Sequence, residues 1–367
     1  MAPADPKQPA PHYAEAGVDI GANDRLIPRF KELARETERP EVLGGVGPFS
    51  GLFDLSGYDN PVLVASTDGV GTKVLLARML GRLDTVGQDL VNHCVNDILT
   101  AGARPLFFLD YLAGSGLSED EKVAIVRGVA TACRETGTAL LGGETADMPD
   151  LYRPGDFDLA GTIVGVVDKN ARVDLDAISP GDVLLGLPSS GLHTNGYSLV
   201  RRVFGLSGAD PEREAAVLND PRPELGESLG DALLRTHLSY WPLLEPVLPR
   251  IKGIAHITGG GGPGNLARIL PARCGAVVRR AAWPEPPVFA LIQRAGEISD
   301  EEMVHVFNVG LGLIIAVDSA DAAPLREQIP ELVEIGLITD APEGEPVRVE
   351  HARPELAPDG EPPSWTA

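Results

Sequence analysis

The chain has 367 residues, with 31 Lys and Arg against 53 Asp and Glu, a formal net charge of −22. That surplus repels nucleic-acid backbones and anionic membrane surfaces at long range, which argues against general nucleic-acid binding. No apolar run approaches the ~20 residues of a membrane-crossing helix, and the length exceeds the ~100–150 residues that one core usually serves, so two domains are expected.

From the N-terminus, MAPADPKQPAPHY is rich in Pro and Ala and lacks the apolar core of a secretion signal. Residues 1–12 are expected to form a flexible leader and the chain to be cytoplasmic. Short Val, Ile and Leu runs then alternate with helical patterns, an α/β signature. PVLVAST (61–67) predicts a strand. GQDLVNHCVNDILTAG predicts a helix with Leu90, Val91, Cys94, Val95, Ile98 and Leu99 on its apolar stripe and Gly102 as its stop. PLFFLDYL (105–112) predicts a strand, and Ser118 with Glu121 forms a capping box before a helix that Gly137 ends. TALLGGET (138–145) and DLAGTIVGVV (158–167) predict two more strands.

The polar, turn-rich stretch at about 168–182 divides the chain into domains of residues 13–172 and 173–350. In the second, DVLLGLPSSG leads by a loop to a helix in HTNGYSLVRRVFG, and AHITGGGGPGNLARIL again reads strand, Gly loop, helix. CGAVVRR, FNVGLGLIIAVD and LVEIGLITDA predict further strands. Residues 351–367 mix Pro, charge and small residues without periodicity and are expected to be disordered. Cys94, Cys133 and Cys274 are widely spaced with no CxxC pair, so they are expected to be buried thiols.

Several loops carry chemistry-bearing residues. GGVGPFSG, with Gly44, Gly45, Gly47 and Ser50, suits either an anion cradle of backbone N–H groups or an ordinary flexible connection. DGVGTK (68–73) places a carboxylate, two glycines, a hydroxyl and an ammonium directly after a strand. Asp68 suits Mg²⁺, Thr72 and the glycine amides suit phosphate oxygens, and Lys73 suits charge neutralisation; a tight turn with a surface lysine is the plainer alternative. The spacing is not that of a Walker A loop. Asp97 lies between apolar stripe positions of its helix, where a carboxylate needs a cation or donors, which makes it a second candidate metal ligand. Asp110 and Glu144 stand at strand ends, and Asp68, Asp97 and Glu144 are expected to converge on Mg²⁺ bridging a triphosphate. In SSGLHTNGYS, His193 is the favoured general acid/base among seven histidines, with helix capping as the alternative. Gly259, Gly261 and Gly264 make a formal GxGxxG, but no acidic strand end follows about 20 residues on, so anion binding at the turn is the safer expectation.

Taken in order, YAEAGVDI, GGVGPFSG, STDGVGTK, CVNDILTAGARPLFFLDY, GGETADMPDLY, SSGLHTNGYSLVR, AHITGGG and FNVGLG resemble the phosphoribosylformylglycinamidine cyclo-ligase (AIR synthetase) family from about Tyr13 to Glu350. The resemblance implies two α/β domains, the first with a four-stranded sheet that pairs across a homodimer into a barrel, the second with a mixed sheet flanked by helices. It implies ATP and Mg²⁺, and conversion of formylglycinamidine ribonucleotide to aminoimidazole ribonucleotide through phosphorylation of the amide oxygen. On that template Asp68, Asp97 and Glu144 hold metal, while Gly45, Gly47, Ser50, Gly69, Gly71, Thr72, Lys73 and Gly143 surround the nucleotide. Lys31 matches a family lysine of the nucleotide site. Asn96, His193 and Asn195 face the substrate, and Gly260 and Gly261 meet its phosphate or a neighbouring anion. Two positions depart from the family pattern: Gly264 replaces an acidic residue, and His305 replaces an arginine. Related readings fit less well. A selenophosphate synthetase needs a reactive Cys near the first Gly-rich loop, a hydrogenase-maturation dehydratase ends in Cys where this chain ends SWTA, and a thiamine-phosphate kinase or a non-catalytic nucleotide-binding module is the remaining alternative.

Overall fold

The structure, a computed structural model, describes residues 20–46 and 50–350. The leader, the C-terminal tail and Gly47 lie outside the described residues. Helix α1 (Ile20–Arg35) precedes two short strands, β1 (Val42–Gly44) and β2 (Leu52–Phe53), that pair with each other. Four longer strands follow, β3 (Pro61–Gly69), β4 (Arg104–Gly114), β5 (Ala139–Asp147) and β6 (Phe157–Asp168), in the sheet order β3-β6-β4-β5. Helices α2 (Lys73–Met79), α3 (Asp84–Leu99) and α4 (Glu119–Thr136) fall between them. Because β4 and β5 run parallel, their connection must cross over, and α4 is that crossover.

Helix α4 begins at the expected capping box: the Glu121 N–H donates to Ser118 Oγ at 3.2 Å, and the Ser118 N–H donates to Glu121 Oε2 at 2.8 Å. Gly137, at φ +66°, ends it in the left-handed conformation that glycine adopts without strain. Helices α3 and α4 cover one face of the sheet, and Gly87 and Gly128 let them approach, since a Cβ on either would strike backbone of the other helix. The opposite face is open, with Leu63, Leu109 and Tyr111 exposed along it.

The second sheet has the order β10-β12-β7-β13-β11-β14. Its strands are β7 (Val183–Pro188), β10 (Ile251–His256), β11 (Cys274–Arg279), β12 (Leu311–Val317), β13 (Val333–Asp340) and β14 (Val347–Glu350); a small pair, β8 (Pro221–Arg222) and β9 (Glu227–Ser228), stands apart. All neighbours are antiparallel except β11 and β14, so the sheet is mixed, as expected. β12 is buried at every residue, which is why LGLIIAV shows no alternation. The helices of this half are α5 (Tyr197–Phe204), α6 (Pro211–Asn219), α7 (Leu229–Leu233), α8 (Trp241–Leu244), α9 (Gly261–Ala267), α10 (Pro287–Gly296), α11 (Asp300–Val306) and α12 (Ser319–Gln328). Several open on Pro in the first turn, a fixed-φ start that breaks the periodicity by which longer helices are read. Helix α3 also packs against β10 and α8, so one helix serves both halves of the molecule. All three cysteines are free and buried.

Candidate active site between the two sheets

Strand periodicity turns Val64, Ser66 and Asp68 of β3 toward the helix-covered side, and helical spacing puts His93 and Asp97 of α3 one turn apart on a single face. The end of β10 brings His256 opposite them. With Thr258, Asn265 and Arg268 these residues line a cavity of about 600 Å³.

Two carboxylate–imidazole pairs organise it. Asp68 Oδ2 lies 2.9 Å from His93 Nε2, and Asp97 Oδ1 lies 2.8 Å from His256 Nδ1. The Gly69 N–H donates to Asp68 Oδ1 at 2.7 Å, and Ser66 Oγ donates to Asp97 Oδ2 at 2.8 Å. Behind them, His93 Nδ1 meets Thr194 Oγ1 at 2.8 Å and His256 Nε2 meets His237 Nε2 at 3.1 Å. Burial raises the carboxyl of Asp68, but the hydrogen bond and charge of His93 together with the Gly69 N–H outweigh it and hold the pKa below its ordinary value; at Asp97 burial is outweighed in the same way by His256, His93 and Ser66 together. At His93 burial opposes the charge, yet the two carboxylates raise the pKa. At His256 burial prevails over Asp97 and lowers it.

The structure corrects several expectations. Lys73 does not face the phosphate loop: its Nζ is sealed in the interior on Asp89, 2.9 Å from Oδ1, and donates to the Arg235 carbonyl at 2.8 Å. α2 starts at Lys73, so the helical turn carries the side chain inward under the loop. Asn96 is likewise buried rather than turned to a substrate; its Nδ2 donates to the Leu238 carbonyl at 2.7 Å, and its Oδ1 accepts the Tyr240 N–H at 2.9 Å. His193 is fully buried, stacks on His237 with ring centroids 3.9 Å apart, and does not line the cavity. Burial and the neighbouring cationic groups push its pKa well down, which removes the near-neutral titration that made it attractive.

Glu144 does not join Asp68 and Asp97 within this chain. Asp68, Gly161, Asp110 and Gly143 stand in register across the four strands, whereas Glu144 pairs with Tyr111 on the exposed face. Three strand spacings separate the β3 and β5 positions, about 14 Å. The Gly261 N–H is committed to the Thr258 carbonyl at 3.0 Å, so it is not an open anion donor, while Gly260, at φ +98°, is exposed. Asn195 reaches the Gly259 turn, and its Nδ2 is buried without a partner.

The other expected residues do not line this cavity. Gly69 and Gly71 follow Asp68, and the Thr72 hydroxyl lies 3.3 Å from Ser198 Oγ. Lys31 and Gly45 line a separate small cavity of about 180 Å³ with Ala139 and Leu140, and Ser50 is exposed. Gly264 is exposed at the start of α9, and His305 Nδ1 lies 2.8 Å from the Glu301 carbonyl in the last turn of α11. His93, His237 and His256 were not singled out by sequence. His93 had a legible signal, because a histidine four residues before an aspartate shares its helix face. His256 had none: its partner Asp97 is 159 residues away.

A two-domain α/β protein with one carboxylate at the end of β3 and one on helix α3, facing a cavity under a second sheet, is the class that this geometry defines. Residues 51–167 match the family model of the AIR synthase related protein, N-terminal domain, and residues 179–348 match that of its C-terminal domain. The chain belongs to the phosphoribosylformylglycinamidine cyclo-ligase family. It is 48% identical over 325 residues to the enzyme of that name from Xanthomonas oryzae pv. oryzae (strain PXO99A), covering 86% of this chain and 92% of the relative. It is 49% identical over 323 residues to that of Geobacillus thermodenitrificans (strain NG80-2), covering 87% and 92%. Among solved structures, hydrogenase maturation protein HypE in complex with ATP shares the fold at TM-score 0.61 and 21% identity, covering 89% of this chain and 91% of that one.

Proposed function

We propose that this protein closes the imidazole ring of aminoimidazole ribonucleotide from formylglycinamidine ribonucleotide, using ATP and releasing ADP and phosphate, in cytoplasmic purine biosynthesis. The observation that carries the reading is the cavity with Asp68 and Asp97 on one wall and His256, Asn265 and Arg268 on the other, in a chain about 48% identical to enzymes of that name. Phosphoryl transfer to the amide oxygen converts a poor leaving group into phosphate; the ring nitrogen attacks the activated carbon, the C–O bond breaks, and phosphate departs. The work of the protein is then positioning and charge stabilisation.

In this reading Asp68 and Asp97 would hold Mg²⁺. Their paired carboxylates, each braced by a separate donor, fit a divalent cation by donor chemistry. When bound, the ion neutralises charge on the triphosphate. Gly69, Gly71 and Thr72 would approach the phosphates, with Lys31, Gly45, Gly47, Ser50 and Gly143 around the nucleotide. Arg268, with Asn195 and Gly260 nearby, would take the substrate phosphate. Such local binding suits a chain of net charge −22, because short-range donors and cations act inside the screening length of its field. The open face bearing Leu63, Leu109 and Tyr111 would meet its copy in a second chain, closing the barrel of a homodimer, and domains of residues 13–172 and 173–350 divide the labour. Sedimentation over a range of concentrations tests the dimer; a monomer at all of them removes it.

The decisive assay incubates the purified chain with formylglycinamidine ribonucleotide, ATP and Mg²⁺ and follows both ADP and aminoimidazole ribonucleotide. Equal formation of the two is expected. ADP without the imidazole overturns the cyclo-ligase reading in favour of a kinase.

A further inference from the structure

Residues 235–240, between α7 and α8, belong to no helix or strand. A segment of this kind inside a protein must place its backbone polar groups on something. One face of α3 takes them: Asp89, Asn92 and Asn96, spaced i, i+3 and i+7 and all buried. Asp89 Oδ1 accepts the His237 N–H at 2.7 Å, and Asn92 Nδ2 donates to the His237 carbonyl at 2.7 Å. Asn96 holds two groups, donating to the Leu238 carbonyl at 2.7 Å and accepting the Tyr240 N–H at 2.9 Å. Lys73 Nζ adds the Arg235 carbonyl at 2.8 Å.

The other side of the segment is fastened to the second half of the chain. Ser190 Oγ, just after β7, donates to the Thr236 carbonyl at 2.6 Å, and the Tyr240 hydroxyl donates to the Pro188 carbonyl at 2.8 Å. The His237 ring stacks on His193 and lies 3.1 Å from His256 Nε2 at the end of β10. From that strand end the chain runs on to Thr258, Asn265 and Arg268 of the cavity. One strap thus lies between the helix that carries Asp97 and the strand ends that support the opposite wall. Asn96 is its double anchor, because a carboxamide offers a donor and an acceptor at once and here spends both on the same short segment.

We propose that residues 235–240 are a strap that sets the spacing between the two walls of the cavity, and that Asn96, which does not line the cavity, is a positioning residue for the reaction. The proposal rests on the cyclo-ligase reading, in which the triphosphate meets the wall of Asp68 and Asp97 and the substrate phosphate meets that of Arg268. Binding of each ligand then depends mainly on one wall, whereas phosphoryl transfer between them depends on how far apart the walls stand. A misplacement of about 1 Å in such a step costs on the order of 100-fold in rate.

Asn96→Ala tests this in the full chain, and Asn92→Ala, which removes a single anchor, is read at the same amides with the same outcomes should the first variant fail to fold. Amide hydrogen exchange without ATP or substrate reads the strap directly. The amides of Ser189 and Ile257, which donate to the Gly310 and Gly312 carbonyls at the ends of β7 and β10, report on the second wall. Expected is exchange at least about tenfold faster at Tyr240, Ser189 and Ile257, with α4 unchanged. Unchanged exchange at Ser189 and Ile257 overturns the proposal, because the strap then holds nothing beyond itself. Equal acceleration in α4 overturns it too, because the loss is then general. In turnover, Asn96→Ala should lower kcat at least about tenfold with both KM values within about twofold, and should form more ADP than imidazole as water takes the phosphoryl group. A ratio that stays at one, with turnover reduced only as far as the folded fraction, marks a merely structural residue and overturns the positioning role. The exchange measurement needs no turnover, so the strap and the cyclo-ligase reading fail separately.

Discussion

Asp89 and Asp97 lie eight residues apart on α3, and the fold puts them to opposite uses. Asp89 is sealed from solvent against Lys73 Nζ and accepts the His237 N–H at 2.7 Å, so its bonds tie the first loop and helix to the second half of the chain. Asp97 borders the cavity, and its partners are a hydroxyl and an imidazole rather than a fixed ammonium. Burial drives Lys73 and Asp89 toward their neutral forms against their mutual contact and the His237 N–H, whereas at Asp97 the hydrogen bond and charge of His256, with His93 and Ser66, outweigh burial and hold the carboxyl below its ordinary pKa. The difference teaches that a carboxylate on an apolar helix is not thereby a site. What decides is whether its cation is built in or left to be supplied.

The sharpest way to break the comparison is to strip the built-in cation. Lys73→Met leaves the buried Asp89 without its cation, and denaturant unfolding should show a loss of about 3–5 kcal/mol. Adding Asp89→Leu should recover only part of it, because the His237 N–H then lacks its acceptor. A loss under ~1 kcal/mol would make the pair incidental.

Asp110 supplies a third case, a buried carboxyl with no cation; burial raises it from 3.8 to about 7. The protonated form is the one the fold accepts, so the associated stability is present in full below the unfolded pKa and is lost as pH rises through about 7. Asp110→Asn should therefore raise the unfolding free energy at pH 8 by up to about 4 kcal/mol, with the gain shrinking to nothing near pH 4. A pH-independent effect would contradict this account.

At the cavity the expected cost falls on turnover instead. Asp97→Asn should lower kcat/KM about 100-fold, some 2.7 kcal/mol of barrier, with the unfolding free energy shifted by less than ~1 kcal/mol. Asp68, half-exposed and braced by a single histidine, should cost less: Asp68→Asn lowers turnover at least about tenfold. Unchanged turnover in either variant removes that residue from the site.

Much of this was legible before the fold was known. The capping box, the Gly137 stop, the four strands of the first sheet and the αβ alternation follow from local rules of capping and periodicity, and local rules survive tertiary packing here. Asp68 and Asp97 were legible for the same reason, one at a strand end and one on a helix stripe that a carboxylate does not occupy without a partner. Lys73 and Glu144 were misplaced because loop composition does not record which way a helix start turns or which face a strand end presents. His193 was preferred among the histidines for its small polar neighbours in sequence, but its spatial neighbours are His237, Tyr240 and the backbone of its own loop.

The sequence by itself determined the elements, the order of the two sheets along the chain, and the pool of carboxylates, glycines and histidines available to a site. Only the tertiary structure decided which of them meet. Asp97 pairs with a histidine 159 residues away, and Lys73 bonds a carbonyl 162 residues away. Hydrophobic packing of α3 between two sheets creates those pairings, and no period or motif along the chain encodes a distance closed by burial of surfaces so far apart.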